Sequence, residues 1–192
     1  MDEVASALRA LTDALDRLSI RYLIGGSIAS SARGTPRATM DVDLLARMTP
    51  AAASRLPDLL GPDWYADGEE IRRALSLERP FNVIHRPSGE KFDLFPVLVE
   101  FHDSELQRAS PAAVRLGDEV LHLPVASVED MILAKLQWYR MGDEVSERQW
   151  TDVLNLIRMN QDLELSYLHT WAERLGVRDL FDRAAVEASA GE

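Results

Sequence analysis

The chain has 192 residues, 46% of them hydrophobic and 28% charged, with no cysteine and a formal net charge of −11. That length suits one domain or a core domain with an appendage, and the absence of cysteine excludes a disulfide framework, thiolate metal sites and a cysteine nucleophile. The acidity argues against nucleic-acid binding driven by counterion release, although it leaves room for a local basic patch.

The N-terminal stretch "MDEVASALRALTDALDRLS" is acidic and amphipathic, with Val4, Leu8, Leu11, Leu15 and Leu18 at helical spacing, which predicts a helix near 2–18. It lacks the basic start and apolar core of a secretion signal, and no apolar run approaches the ~20 residues of a membrane span, so a cytoplasmic protein without membrane association is expected. "RYLI" reads as a short strand ended by Gly25-Gly26, "SIASSA" as a helix with Ser27 near its start, and Gly34-Thr35-Pro36 as its stop. "TMDVDLLA" is the next strand. Thr49-Pro50 reads as cap and first residue of a helix closing near Gly61, with Pro57 arguing against an unbroken one.

Farther along, a short helix is expected around Glu69–Leu77, and "FNVIHRPSGEKFDLFPV" reads as a hairpin about a Pro-Ser-Gly turn. "VRLGDEVLHLPVA" reads as a second hairpin about Gly117-Asp118. Ser127 is a helix cap with Asp130 placed to reach back, and helices are predicted over 127–141, 147–159 and 163–188. The expected architecture is α/β (α+β), a mixed sheet flanked by helices. Residues 1–126 would form the core and 127–192 a helical C-terminal subdomain. Trp64, Trp138, Tyr139, Trp150 and Trp171 read mostly as core by spacing, and the four histidines show no close metal-ligand spacing.

The stretch that demands explanation is "YLIGGSIASSARGTPRATMDVDLLA", where a strand of apolar residues carries Asp41 and Asp43. Side chains alternate across a strand, so the two aspartates face one way, with α-carbons about 6.5–7 Å apart, while Val42 and Leu44 face the other. Carboxylates on one face repel each other and are costly to desolvate. One reading puts them on an exposed face. The other places a divalent cation there. Magnesium suits a pair of carboxylates because it keeps several waters and shares its remaining positions with substrate phosphates. Fifteen residues upstream, a strand turns through Gly25-Gly26 into a helix. That arrangement lets a phosphate approach backbone N–H groups, and it favours the second reading.

"GGSIASSARGTPRATMDVDLL" resembles the signature of the polymerase-β-like nucleotidyltransferase superfamily, in which a Gly-Gly/Ser turn precedes a D-x-D strand. "VEDMILAKLQWYR" and "RQWTDVLNLI" resemble the later lysine and aspartate motifs of its AbiEii-type branch, which includes toxins of toxin–antitoxin and abortive-infection systems. The resemblance implies a nucleotidyltransferase fold and binding of nucleotide phosphates by Gly25, Gly26 and Ser27. It also implies Mg2+ (or Mn2+) held by Asp41 and Asp43, and a site completed by Lys135 and Asp152. Many relatives carry a third carboxylate on a later strand, and Asp93 in "KFDLFPV" is its natural counterpart here. Where the branch often has an acidic residue three positions before the motif aspartate, this chain has Gln149.

The expected activity is transfer of a nucleoside monophosphate from a nucleoside triphosphate to an unidentified acceptor, which is RNA (tRNA among the options), protein or a small molecule. A cognate antitoxin is a partner consistent with the branch. Lys135 would act as a point charge on the triphosphate, against the alternative of a lysine snorkelling from a buried helix. Arg37, in the loop between turn and strand, is a further phosphate-binding candidate. The rival function is a non-catalytic nucleotide- or partner-binding protein that retains the fold.

Overall fold

The computed structural model describes residues 2–33 and 42–190. These fall into two compact units, one of residues 2–32 and 42–126, the other of residues 127–190 with Arg33.

The first unit is built on a seven-stranded mixed sheet. It opens with α1 (Asp2–Arg17), β1 (Tyr22–Ile24), α2 (Gly26–Ala32), β2 (Val42–Ala46) and α3 (Pro50–Leu60). It continues through β3 (Trp64–Tyr65), α4 (Gly68–Ser76), β4 (Phe81–His85), β5 (Glu90–Pro96), α5 (Glu100–Arg108), β6 (Ser110–Leu116) and β7 (Glu119–Val125). The strand order is β3-β4-β5-β2-β1-β7-β6. β2 pairs with β5, and β1 with β7, in parallel; the remaining neighbours are antiparallel. α1 forms because Ala5, Leu8, Leu11 and Leu15 make one fully buried stripe, which packs on α3 and the β6–β7 hairpin.

Local chemistry explains several boundaries. Thr49 caps α3 by accepting the Ala52 N–H at 3.2 Å, with Pro50 following it. The helix runs on through Pro57, forfeiting one hydrogen bond, and ends where the Gly61 N–H reaches the Pro57 carbonyl at 3.0 Å. Asp67 caps α4 through the N–H groups of Glu69 and Glu70. Both hairpins form as expected, the first in the register Val83↔Phe92 and the second closing at Leu116↔Glu119. Two elements exceed the sequence reading. β3 is only two residues long, and α5 is a nine-residue polar helix burying Phe101, Glu105 and Leu106.

The second unit contains α6 (Val128–Met141), α7 (Glu147–Met159), α8 (Leu165–Arg174) and α9 (Arg178–Ala190). The single helix expected over 163–188 is therefore two. Gly176 adopts φ +67°, a left-handed conformation that ends a helix, and buried Val177 follows before α9 begins. Ser127 caps α6 as expected, accepting the Asp130 N–H at 3.1 Å while its hydroxyl donates to Asp130 Oδ2 at 2.7 Å. The fully buried Asp130 carboxylate also accepts the Tyr167 hydroxyl of α8, and Glu129 accepts the Glu164 N–H at 3.1 Å. The start of α8 is thus fastened to α6 through buried acids. Trp138, expected in the core, is 49% exposed, whereas Trp150 is half-buried beneath the Arg183 guanidinium.

Candidate active site

In the α/β unit the strands β2 and β5 carry two contrasting faces. Val42 and Leu44 of β2 lie beside Phe92 and Leu94 of β5, all buried to 1% exposure or less. On the opposite face Asp43 is the register partner of Asp93, and Leu45 of Phe95. Adjacent strands are about 4.8 Å apart, so the two carboxylates project side by side from neighbouring backbones. Both are only partly buried. Lys91 and Asn82 share this face: Lys91 lies two residues before Asp93, and Asn82 of β4 is the cross-strand partner of Asp93. The Lys91 ammonium sits 2.7 Å from Asp93 Oδ2.

The Gly25-Gly26 turn is built against Asp43. The Gly25 N–H donates to the Asp43 carbonyl at 2.9 Å, tying the end of β1 to β2. Gly26 has φ +58°, and a Cβ there would overlap Asp43 Oδ2 and lie 2.8 Å from its Cγ. Glycine is thus required twice, by backbone conformation and by the carboxylate resting on its α-carbon. Ser27 follows in the first turn of α2 and is half-buried. The structure therefore brings together Gly25, Gly26, Asp43 and Asp93. Asp41 and Arg37 lie outside the described residues.

The residues present suit a divalent cation. Neighbouring carboxylates repel unless a cation lies between or beside them, and the Lys91 ammonium shows that this face accepts positive charge at hydrogen-bonding distance. Oxygen-only donors with an open side match magnesium or manganese rather than a soft metal. Among the described residues no three histidine, aspartate or glutamate side chains gather into a metal-binding group, so Asp43 and Asp93 are a pair there.

Lys135 and Asp152 belong to the helical unit. They lie on the consecutive, packed helices α6 and α7, with Lys135 Nζ donating to Asp152 Oδ2 at 2.9 Å. Their side chains are 13% and 12% exposed. Lys135 does not snorkel to solvent, nor is Asp152 a solvated helix residue.

Lys91 and Asn82 were not singled out from the sequence. The available signal was the period of two along "EKFDLF", which puts Lys91 on the face of Asp93.

No protein-family model matches the chain, and no curated protein matches it. Among solved structures it is similar to the antibiotic-resistance factor ANT(2'')-Ia, with a TM-score of 0.48 and 19% identity over 100% of this chain and 99% of that one. It is also similar to an antigenic nucleotidyltransferase-like protein from Paracoccidioides brasiliensis, with a TM-score of 0.43 and 19% identity over 93% and 91% of the two chains. No helix among the described residues is long and apolar enough to cross a membrane.

Proposed function

We propose that this protein is a divalent-metal-dependent nucleotidyltransferase of the AbiEii-type branch, moving a nucleoside monophosphate from a nucleoside triphosphate to an acceptor. The observation that carries this reading is the register of Asp43 beside Asp93, with the Asp43 carboxylate packed on the Gly25-Gly26 turn. It puts an acidic pair next to a backbone turn where a phosphate can approach, which is what transfer of a phosphoryl-linked group requires.

In this reading Asp43 and Asp93, with Asp41, hold magnesium or manganese. The metal supplies neutralisation of charge on the attacking and leaving oxygens. The Gly25-Gly26-Ser27 turn orients the triphosphate, Gly25 by holding the turn against β2 through its N–H and Gly26 and Ser27 by offering theirs to phosphate, assisted by Arg37 and Lys135, and Asp152 holds the lysine. An acceptor oxygen forms a bond to the α-phosphorus, the bond from that phosphorus to the β-bridging oxygen breaks, and pyrophosphate leaves. Asp93, next to exposed Asn82, receives the acceptor's proton.

The acceptor is tested directly. Each labelled triphosphate is incubated with the protein, magnesium and either purified tRNA or a cell extract, and the labelled fraction is identified. A labelled protein of the size of a co-purifying partner would point to a cognate antitoxin. Asp93→Asn should abolish transfer while leaving triphosphate binding nearly intact. Equal labelling by wild type and Asp93→Asn overturns the role of Asp93, and no labelling with any triphosphate overturns the enzymatic reading in favour of a binding protein.

A further inference from the structure

Lys91 poses an electrostatic question that the transfer reaction leaves open. Its ammonium lies 2.7 Å from Asp93 Oδ2, on the sheet face where Asp43 and Asp93 stand side by side. A lysine pair on a solvent-facing strand contributes little to stability, because side-chain entropy and solvent screening offset its Coulomb gain. The Lys91 side chain is 43% exposed, so packing does not hold it there. What the geometry does give is an ammonium in direct contact with one of two carboxylates that stand side by side. A positive charge there reduces their mutual repulsion.

We infer that Lys91 is a placeholder cation, occupying the cation position beside Asp93 in the metal-free protein and giving way when a divalent metal binds. This rests on the metal-dependent reading above and deepens it. Lys91 is a positioning residue here: it keeps the two carboxylates in place before loading. Because the metal must displace the ammonium, Lys91 also sets how tightly the metal is held. A flexible four-carbon stem permits such a displacement without moving the strand.

The test uses the full chain stripped of metal with a chelator, and compares wild type, Lys91→Met, Lys91→Arg and Asp43→Asn. Thermal melting is followed with chelator and with saturating Mn2+, and Mn2+ affinity is measured by the paramagnetic resonance signal of the free ion. Lys91→Met should melt below wild type in chelator, and the deficit should close or invert with Mn2+. Its Mn2+ affinity should rise roughly fivefold, as expected for removing a partly exposed competing charge. Lys91→Arg, which keeps the charge, should restore most of the wild-type behaviour.

A melting deficit of equal size with and without Mn2+, or an unchanged affinity, would make Lys91 an ordinary surface partner and overturn the inference. If Asp43→Asn loses Mn2+ binding while Lys91→Met alters neither quantity, only the placeholder falls. If wild type binds no Mn2+, or Asp43→Asn binds it equally well, the metal-dependent reading fails and takes the placeholder with it.

Discussion

The two units solve opposite electrostatic problems. In the α/β unit, Asp43 and Asp93 are like charges on adjacent strands, partly exposed, with the Lys91 ammonium 2.7 Å from Asp93 on the same face. In the helical unit, Lys135 and Asp152 are opposite charges 2.9 Å apart on neighbouring helices, with side chains nearly removed from solvent. The first arrangement carries a charge that invites a cation from outside. The second is neutralised inside its own unit. Removing one charge should therefore have effects of opposite sign in the two places, and that asymmetry can be measured.

The largest effect is expected from Asp43→Asn. Neutralising this carboxylate removes a ligand charge the metal needs, so calorimetry should find metal-dependent triphosphate binding abolished. In the metal-free protein the same change relieves repulsion with Asp93, and the melting temperature should rise. Equally tight metal-dependent binding in the variant would break the comparison on the α/β side.

Lys135→Ala should act in the other direction. It takes from the Asp152 side chain, 12% exposed, an ammonium 2.9 Å away, and removing one partner of a buried pair costs about 3 kcal/mol. Denaturant unfolding should show that loss, and a Lys135→Met, Asp152→Leu double variant should recover most of it. The nucleotide arm is separate. If Lys135 also holds the triphosphate tail, variants that remain folded should lose triphosphate affinity by roughly one to two orders of magnitude, and monophosphate affinity much less. Equal losses for both nucleotides, or none, would leave the pair as a purely structural feature of the helical unit.

The same contrast shows what was legible from sequence. The hairpin strands, the Ser127 cap and the amphipathic α1 follow from turn residues and periodicity, because local chemistry determines them. The helix α5 escaped because "EFHDSELQR" buries only three residues and presents no clear apolar stripe. The break at Gly176 escaped because helical spacing continues on both sides of it. At the site, "DVD" and "KFDLF" were each readable as strands with acids. That Asp43 stands opposite Asp93 is a matter of register between strands separated by two helices and two further strands, and no local pattern encodes it. The Lys135–Asp152 contact likewise spans 17 residues across a helical hairpin; only the family resemblance associated the two beforehand.

Gly26→Ala sharpens the comparison by testing whether the backbone turn and the carboxylate are one device. The substitution meets two obstacles, the φ of +58° and a Cβ lying 2.8 Å from the Asp43 Cγ. The strain should lower stability by about 1–2 kcal/mol. Because the Asp43 carboxylate has to move, Mn2+ affinity should fall as well. A control at Gly61, with φ +79° and open space around its Cβ position, should show the backbone penalty without the loss of metal affinity. If both variants retain wild-type Mn2+ affinity, the turn and the acid act independently.

The smallest effect concerns pH, and it belongs to a histidine of the α/β unit. His102, on α5, has its pKa lowered by burial, only partly opposed by a hydrogen bond to the Pro96 carbonyl. Its Nδ1 accepts the Leu98 N–H at 3.1 Å, which only an unprotonated nitrogen can do. The fold thus prefers the neutral ring. The unfolded chain takes up a proton near the ordinary value of 6.5, whereas the folded chain does so at lower pH. The stabilising contribution is therefore present above 6.5 and is lost as pH falls through that value towards the folded pKa. Since the ring is only partly shielded, the loss should be roughly a few tenths of a kcal/mol. His102→Asn keeps an acceptor for the Leu98 N–H and cannot titrate. Urea midpoints measured on both sides of the histidine range should fall on acidification in wild type, and fall less in His102→Asn. An identical fall in both proteins would assign the mild-acid sensitivity elsewhere.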